Sequence, residues 1–450
     1  MTTRITRFMA RSPVALNLCA MTTAFLAYFC MYAFRKPFAA GTYEGLSFFG
    51  TEVELKTAFV IFQIIGYALS KYLGVKFCPE VTRNNRAFML VALILFAEFA
   101  LVLFAVLPEQ FKIGAMFVNG LCLGMIWGLV VWYLEGRQTS EVLLAVLSCS
   151  FIISSGIVKD VGRALLNGVE PFGSDSAIAL APVPEFWMPA ATGLVFFLPF
   201  VASVWVLNQV PDPTEKDQQM RSARTTMNAN ERLQFVRRFF PGLVLLVFAY
   251  ILLTAFRDFR DNYTVEVLNE LGYDKRIGTI SSSETMIAFF VLASLALSYF
   301  IKDNQKAMLA IFAIVAGGTA LVGVATLLRQ REIISGYWWM VAVGLGSYLA
   351  YVPYGSVLFD RLMASTRAVG TAVFAIYIAD ALGYTGSVVV QLFNDMIAGK
   401  QSRLEFLESL GYLVSGLGAL SIVGAGAYFS RKSLVVQCAL NSHEYQEQAS

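Results

Sequence analysis

Histidine is nearly absent from this chain: among 450 residues there is one, His443, close to the C-terminal end. The six cysteines, Cys19, Cys30, Cys78, Cys122, Cys149 and Cys438, form no CxxC pair and no Cys/His cluster. That spacing excludes a zinc site and a disulfide framework. With no Ser/His/Asp arrangement either, the chain reads as neither an enzyme nor a metalloprotein, and no cofactor is expected. Charge is scarce too. Only 14% of residues are Asp, Glu, Lys or Arg, against about 25% in soluble domains. The net charge of +3, without a basic repeat, excludes a nucleic-acid partner. An A-x-A-like cleavage site is missing as well. Arg4, Arg7 and Arg11 precede an apolar run that continues past Phe25, so a retained first helix is expected rather than a signal peptide.

What the chain has instead is apolar surface. It is 57% hydrophobic with 37 Phe and 34 Gly, and its mean hydropathy is +0.63. A bilayer core needs about 20 apolar residues per helix. Twelve runs satisfy this: 13–38, 54–75, 86–107, 112–134, 141–162 and 186–208, then 240–262, 277–301, 306–328, 335–358, 367–393 and 404–430. The expected fold is an all-α integral membrane protein of twelve transmembrane helices in two pseudosymmetric six-helix bundles, the plan of the major facilitator superfamily. The expected division is 1–208 for the first bundle, 209–239 for a polar cytoplasmic linker, 240–432 for the second bundle and 433–450 for an irregular cytoplasmic tail. Lys and Arg are concentrated in alternate connections, from Arg4 through Lys76, Arg137, Arg237 and Lys302 to Lys432. By the positive-inside rule both termini face the cytoplasm of a cell (inner) membrane. The partners expected are the lipid bilayer and a small solute, with the protein a monomer.

The segment Ala27-Tyr28-x-x-x-x-Ala33-Phe34-Arg35 returns as Ala249-Tyr250-x-x-x-x-Ala255-Phe256-Arg257. Each copy ends an apolar run with an arginine. A cation at membrane depth costs on the order of 2.5–3.5 kcal/mol by insertion scales. Guanidinium matches phosphate or carboxylate oxygens with two parallel hydrogen bonds. The repeat therefore predicts an anion held between Arg35 and Arg257. The alternative for Arg35, late in its run, is a long stem reaching the membrane interface. Tyr28 and Tyr32 precede Arg35 on nearly its face, and Tyr250 is the counterpart of Tyr28. Gln63 and Asn119 are neutral polar candidates for the same solute. Lys71 either anchors the cytoplasmic end of its helix or adds a third cation. Glu98, Glu284 and Asp380 are lone carboxylates in apolar runs, each suited to carry a coupling proton or to pair with a cation. In the string Arg257-Asp258-Phe259-Arg260-Asp261, two arrangements fit: a helix-end network of salt bridges, or Asp261 neutralising an arginine until substrate arrives. Lys159 and Arg163 mark the outer interface.

The first half resembles the organophosphate:inorganic phosphate antiporters (the glycerol-3-phosphate and hexose-phosphate transporters) of the major facilitator superfamily. Their R-K-N-F ending on the first helix reads Arg35-Lys36-Pro37-Phe38 here. Their Y-G-x-S-K-F segment reads Tyr67-Ala68-Leu69-Ser70-Lys71-Tyr72, followed by Asn85-Arg86-Ala87-Phe88. The resemblance implies exchange of a phosphorylated metabolite for phosphate, with Arg35 and Arg257 as ligands and Lys71 nearby. The chain departs at Pro37, and it lacks the family's fifth-helix histidine. A phosphorylated metabolite is the favoured small anionic solute. A proton-coupled carboxylate symporter and a transporter-like sensor that binds without flux stand beside it.

Overall fold

The computed structural model describes residues 6, 9, 12–134, 137, 139–168, 181–212, 229–273, 278–299, 301, 303–366, 372–396 and 401–449. Arg4, Arg7 and Arg11, residues 169–180 and the polar centre of the linker lie outside the described residues. The described elements are helical, apart from a single antiparallel bridge between Ser47 and Glu54. They are α1 (Pro13–Met31), α2 (Leu55–Glu80), α3 (Arg83–Val106), α4 (Glu109–Leu123), α5 (Ile126–Leu134), α6 (Ser140–Asn167), α7 (Met188–Leu207) and α8 (Ala229–Asn262). There follow α9 (Thr264–Glu270), α10 (Thr279–Tyr299), α11 (Asn304–Gln330), α12 (Gly336–Pro353), α13 (Phe359–Thr366), α14 (Ala372–Met396), α15 (Arg403–Leu413) and α16 (Ala419–Ala449). Among the described residues eleven helices are long and apolar enough to cross a membrane. The sequence places a twelfth span at 367–393. There the structure has α14, and residues 367–371 fall outside the description.

Three expectations are corrected. The first run ends early as an α-helix, at Met31, and tightens into 3-10 turns over Tyr32–Phe34 and Pro37–Ala40. Pro37 lacks the N–H that would continue the ladder, and its ring crowds the preceding turn. α8 begins at Ala229, inside the stretch read as linker. The tail is helical: α16 continues from Ala419 to Ala449.

The chain forms two compact units. The first comprises Met1–Arg221, Phe259–Phe289 and Val388–Phe406, and the second Ser222–Asp258, Phe290–Ser387 and Leu407–Ser450. In the first, α2 packs along α4, α4 along α3, and α1 against α6 and α7. Gly66 of α2 and Gly120 of α4 set the closeness of their pair. A Cβ on Gly66 would run into the Phe117 carbonyl, and one on Gly120 into the Gln63 carbonyl. Small residues at such crossings let backbones touch, and packing replaces the hydrophobic drive that lipid cannot supply. In the second unit α11 packs along α12 in the same manner, with Gly318 against the Gly346 carbonyl at 2.6 Å from its would-be Cβ.

Candidate functional site

In the first unit, the break after α1 creates both the site and its support. A helix end leaves carbonyls without ladder partners. Asn119 Nδ2 donates to the Phe34 carbonyl at 2.9 Å and to the Ala97 carbonyl at 3.2 Å. Gln63 Nε2 donates to the Arg35 carbonyl at 2.9 Å and to Asn119 Oδ1 at 2.8 Å. The sequence reads Gln63 and Asn119 as solute contacts. The structure commits their amide N–H groups to backbone carbonyls, those of Phe34 and Arg35 among them, and to each other. The close α2–α4 crossing is what brings them together.

Arg35 is buried, with its guanidinium carbon 3.9 Å from the centre of the Tyr67 ring and 5.6 Å from that of Tyr32. Its Nη1 lies 3.5 Å from the Tyr32 hydroxyl. Lys71 brings its ammonium 5.3 Å from the same Tyr67 ring. Two cations thus approach one aromatic ring, an arrangement stabilised by the ring quadrupole. Tyr28 packs edge-on against Tyr32 and Trp127, with centroids 5.7 and 4.8 Å away. Tyr67 is the residue that sequence reasoning undervalued. Its i,i+4 spacing from Lys71 was the available signal, but only the fold sets Arg35 upon it.

In the second unit Arg257 also lies on a tyrosine, 3.8 Å from the ring centre of Tyr351. It is engaged by a carboxylate. Its Nε and Nη2 both donate to Asp258 Oδ1, at 3.1 and 2.5 Å. Tyr351 stacks on Tyr250 at 5.3 Å, and the Tyr250 hydroxyl donates to Asp380 Oδ1 at 2.5 Å. Tyr250 and Asp380, read separately in the sequence as solute contact and coupling carboxylate, therefore form one pair. Tyr351 carried no sequence signal, because no charged residue stands near it in the chain.

The rest of the Arg257–Asp261 string belongs to a different setting, within the first unit. Arg260 is 1% exposed and pairs with Glu284, itself 3% exposed, at 2.8 Å. Asp261 binds lysines, not an arginine: Lys36 and Lys159 each approach its carboxylate at 2.5 Å, and Ser155 donates to it. Lys36 also donates to Asn262 Oδ1 at 2.8 Å. Lys159 is itself 1% exposed. A charge withdrawn from water is held only by a close partner, and these pairs supply it. Glu98 is the exception among the buried carboxylates. Among the described residues neither of its oxygens has a hydrogen-bond partner, and it lies against Gly193 and the Phe34 ring.

The sequence pattern of a family described as "Family of unknown function (DUF5690)" matches residues 37–432. The chain belongs to this family. No curated protein matches it. Solved structures that resemble it include a D-xylose–proton symporter, at TM-score 0.61 and 14% identity, covering 91% of this chain and 96% of that one. The nucleoside transporter NupG matches at TM-score 0.56 and 13% identity, covering 92% and 99%. The xylose transporter XylE from E. coli matches at TM-score 0.56 and 14% identity, covering 90% and 95%. At these identities the likeness is one of fold. This member of the family is a multi-pass, all-α membrane protein with the major facilitator fold.

Proposed function

We propose that this protein is a secondary active transporter of a small organic anion, with a phosphorylated metabolite as the favoured cargo, working by alternating access. Arg35 and Arg257 are its ligands, and Lys71 is a third cation beside Arg35. The observation that carries the reading is Arg35, buried in the apolar interior of the first unit over the Tyr67 ring, with the half-buried Lys71 beside the same ring. Buried cations without a role are selected against by their solvation cost. Arg35 bears the greater weight, because Arg257 is already engaged by Asp258 and an incoming anion must compete for it. The protein sits in the cell (inner) membrane as a monomer with both termini cytoplasmic.

Purified protein in vesicles loaded with inorganic phosphate tests this reading. Uptake of a labelled sugar phosphate should require internal phosphate and should vanish in Arg35→Lys, since lysine keeps the charge and loses the fork. Near-normal exchange by Arg35→Lys would remove Arg35 from the ligands.

A proton-coupled carboxylate symporter is the second reading, favoured by Glu98, a buried carboxylate with no hydrogen-bond partner among the described residues. It predicts uptake that acidifies the vesicle interior and that Glu98→Gln uncouples from the proton gradient.

A further inference from the structure

The first unit also holds a cavity of about 660 Å3, within the roughly 300–1,000 Å3 range of small-molecule sites. Its walls are the 42–54 loop, α9, Asn394 and Asp395 at the end of α14, and residues 401–403. Six carboxylates line it: Glu44, Glu52, Glu54, Glu266, Glu270 and Asp395. Among the described residues of the lining Arg403 is the one cation, bound to Glu54 at 2.6 Å and to Asp395 at 2.8 Å. Lys56 pairs with Glu266. Among the described residues no cation pairs with Glu44, Glu52 or Glu270.

Two further side chains of the lining point to a ligand independently of this charge. Asn394 is 2% exposed, and its Oδ1 has no hydrogen-bond partner among the described residues. Tyr43, also 2% exposed, has a hydroxyl in the same condition. A buried polar atom left unsatisfied costs about 1–3 kcal/mol, and both of these belong to residues of the cavity lining. Tyr43 is held there by its loop: the Thr42 and Tyr43 amides both donate to Glu185 Oε1, at 2.8 and 3.0 Å. Burial pushes the Glu266 carboxyl above its ordinary value, against the Lys56 ammonium beside it. A further cation in the cavity would relieve that strain.

The acceptors are dispersed. Among the described residues no group of three or more His, Cys, Asp or Glu side chains is placed to hold a metal ion. A wall of separated carboxylates and amide oxygen suits a ligand whose positive charges are also separated and carry N–H donors. We propose that this cavity binds a small organic polycation of the polyamine class. The proposal is independent of the reading of Arg35 and Arg257.

Titration calorimetry on the purified full-length protein tests it, with spermidine as probe and tetramethylammonium and Ca2+ as comparisons. Spermidine should bind, and each comparison cation should bind at least about tenfold more weakly, a free-energy gap of about 1.4 kcal/mol. Glu44→Gln combined with Glu270→Gln changes two exposed side chains and leaves the fold intact. That variant should weaken spermidine about tenfold or more, and Asn394→Leu should weaken it as well. Arg35→Gln should leave spermidine binding unchanged. Absence of spermidine binding in the millimolar range overturns the proposal. So does equal binding of Ca2+ or tetramethylammonium, which would mean general charge attraction only, or full spermidine affinity in the double variant.

Discussion

At the scale of single residues, the energetics turn on what each buried polar atom touches. Asn119 is fully buried and serves three partners, the Phe34 and Ala97 carbonyls and Gln63. Asn119→Leu strands the buried Phe34 carbonyl, at about 1–3 kcal/mol. It should lower the melting temperature of the purified protein and weaken anion binding together. Tyr67→Leu acts differently. It removes the ring under Arg35 and Lys71, worth about 2 kcal/mol when desolvated, while adding no unsatisfied backbone group. Phosphate binding by thermal shift should fall, and the apo melting temperature should fall with the lost ring contacts. Asp258→Asn carries the opposite sign. Asp258 competes for the Arg257 guanidinium, so removing its charge should strengthen phosphate binding about tenfold. Weaker binding in that variant would mean that Asp258 orients Arg257 instead of opposing the solute. The sequence displayed the charges of the Arg257–Asp261 string but not their partners, because partners come from other elements.

Helix crossings set the next scale. Gly120 allows α4 to approach α2 closely enough for Gln63 and Asn119 to meet. Gly120→Ala forces the Gln63 carbonyl away and should destabilise the protein, with weaker anion binding following from a misplaced Arg35. Gly114→Ala, on the same helix with open space around its would-be Cβ, should be neutral in the same melting experiment. The ion pair between α8 and α10 is a second element-level contact. Glu284→Gln leaves Arg260 as a buried charge without its carboxylate, at a cost of about 3–5 kcal/mol, visible as reduced detergent stability. Arg260→Met with Glu284→Leu should recover much of it, since apolar replacements of a buried pair are often tolerated. Gly346 faces Gly318 in the second unit, where a Cβ on either would meet the other's carbonyl. The first helix breaks ahead of Pro37, although its apolar run reads on to 38 in the sequence, and the 112–134 run splits into α4 and α5 at Gly124 and Met125 with no comparable marker.

For the whole molecule, hydropathy determined most of the outcome. Apolar runs of bilayer length force helices, because a backbone in hydrocarbon must satisfy its own hydrogen bonds. Eleven of the expected spans therefore meet the criteria for crossing a membrane among the described residues, and the fold was legible before any contact was known. The repeated Tyr-x-x-x-x-Ala-Phe-Arg pattern was equally legible, and in each unit its arginine lies on a tyrosine, Tyr67 or Tyr351. Tertiary structure alone decided the partners: that Gln63 and Asn119 hold the backbone, that Asp258 occupies Arg257, that Asp261 joins two lysines, and that six carboxylates from three distant segments line one cavity. Helix formation is governed by local composition and by the solvent, both written along the chain. Side-chain pairing depends on which faces meet and at what distance, and residues that meet here are separated by up to several hundred positions in sequence, as Glu54 is from Arg403.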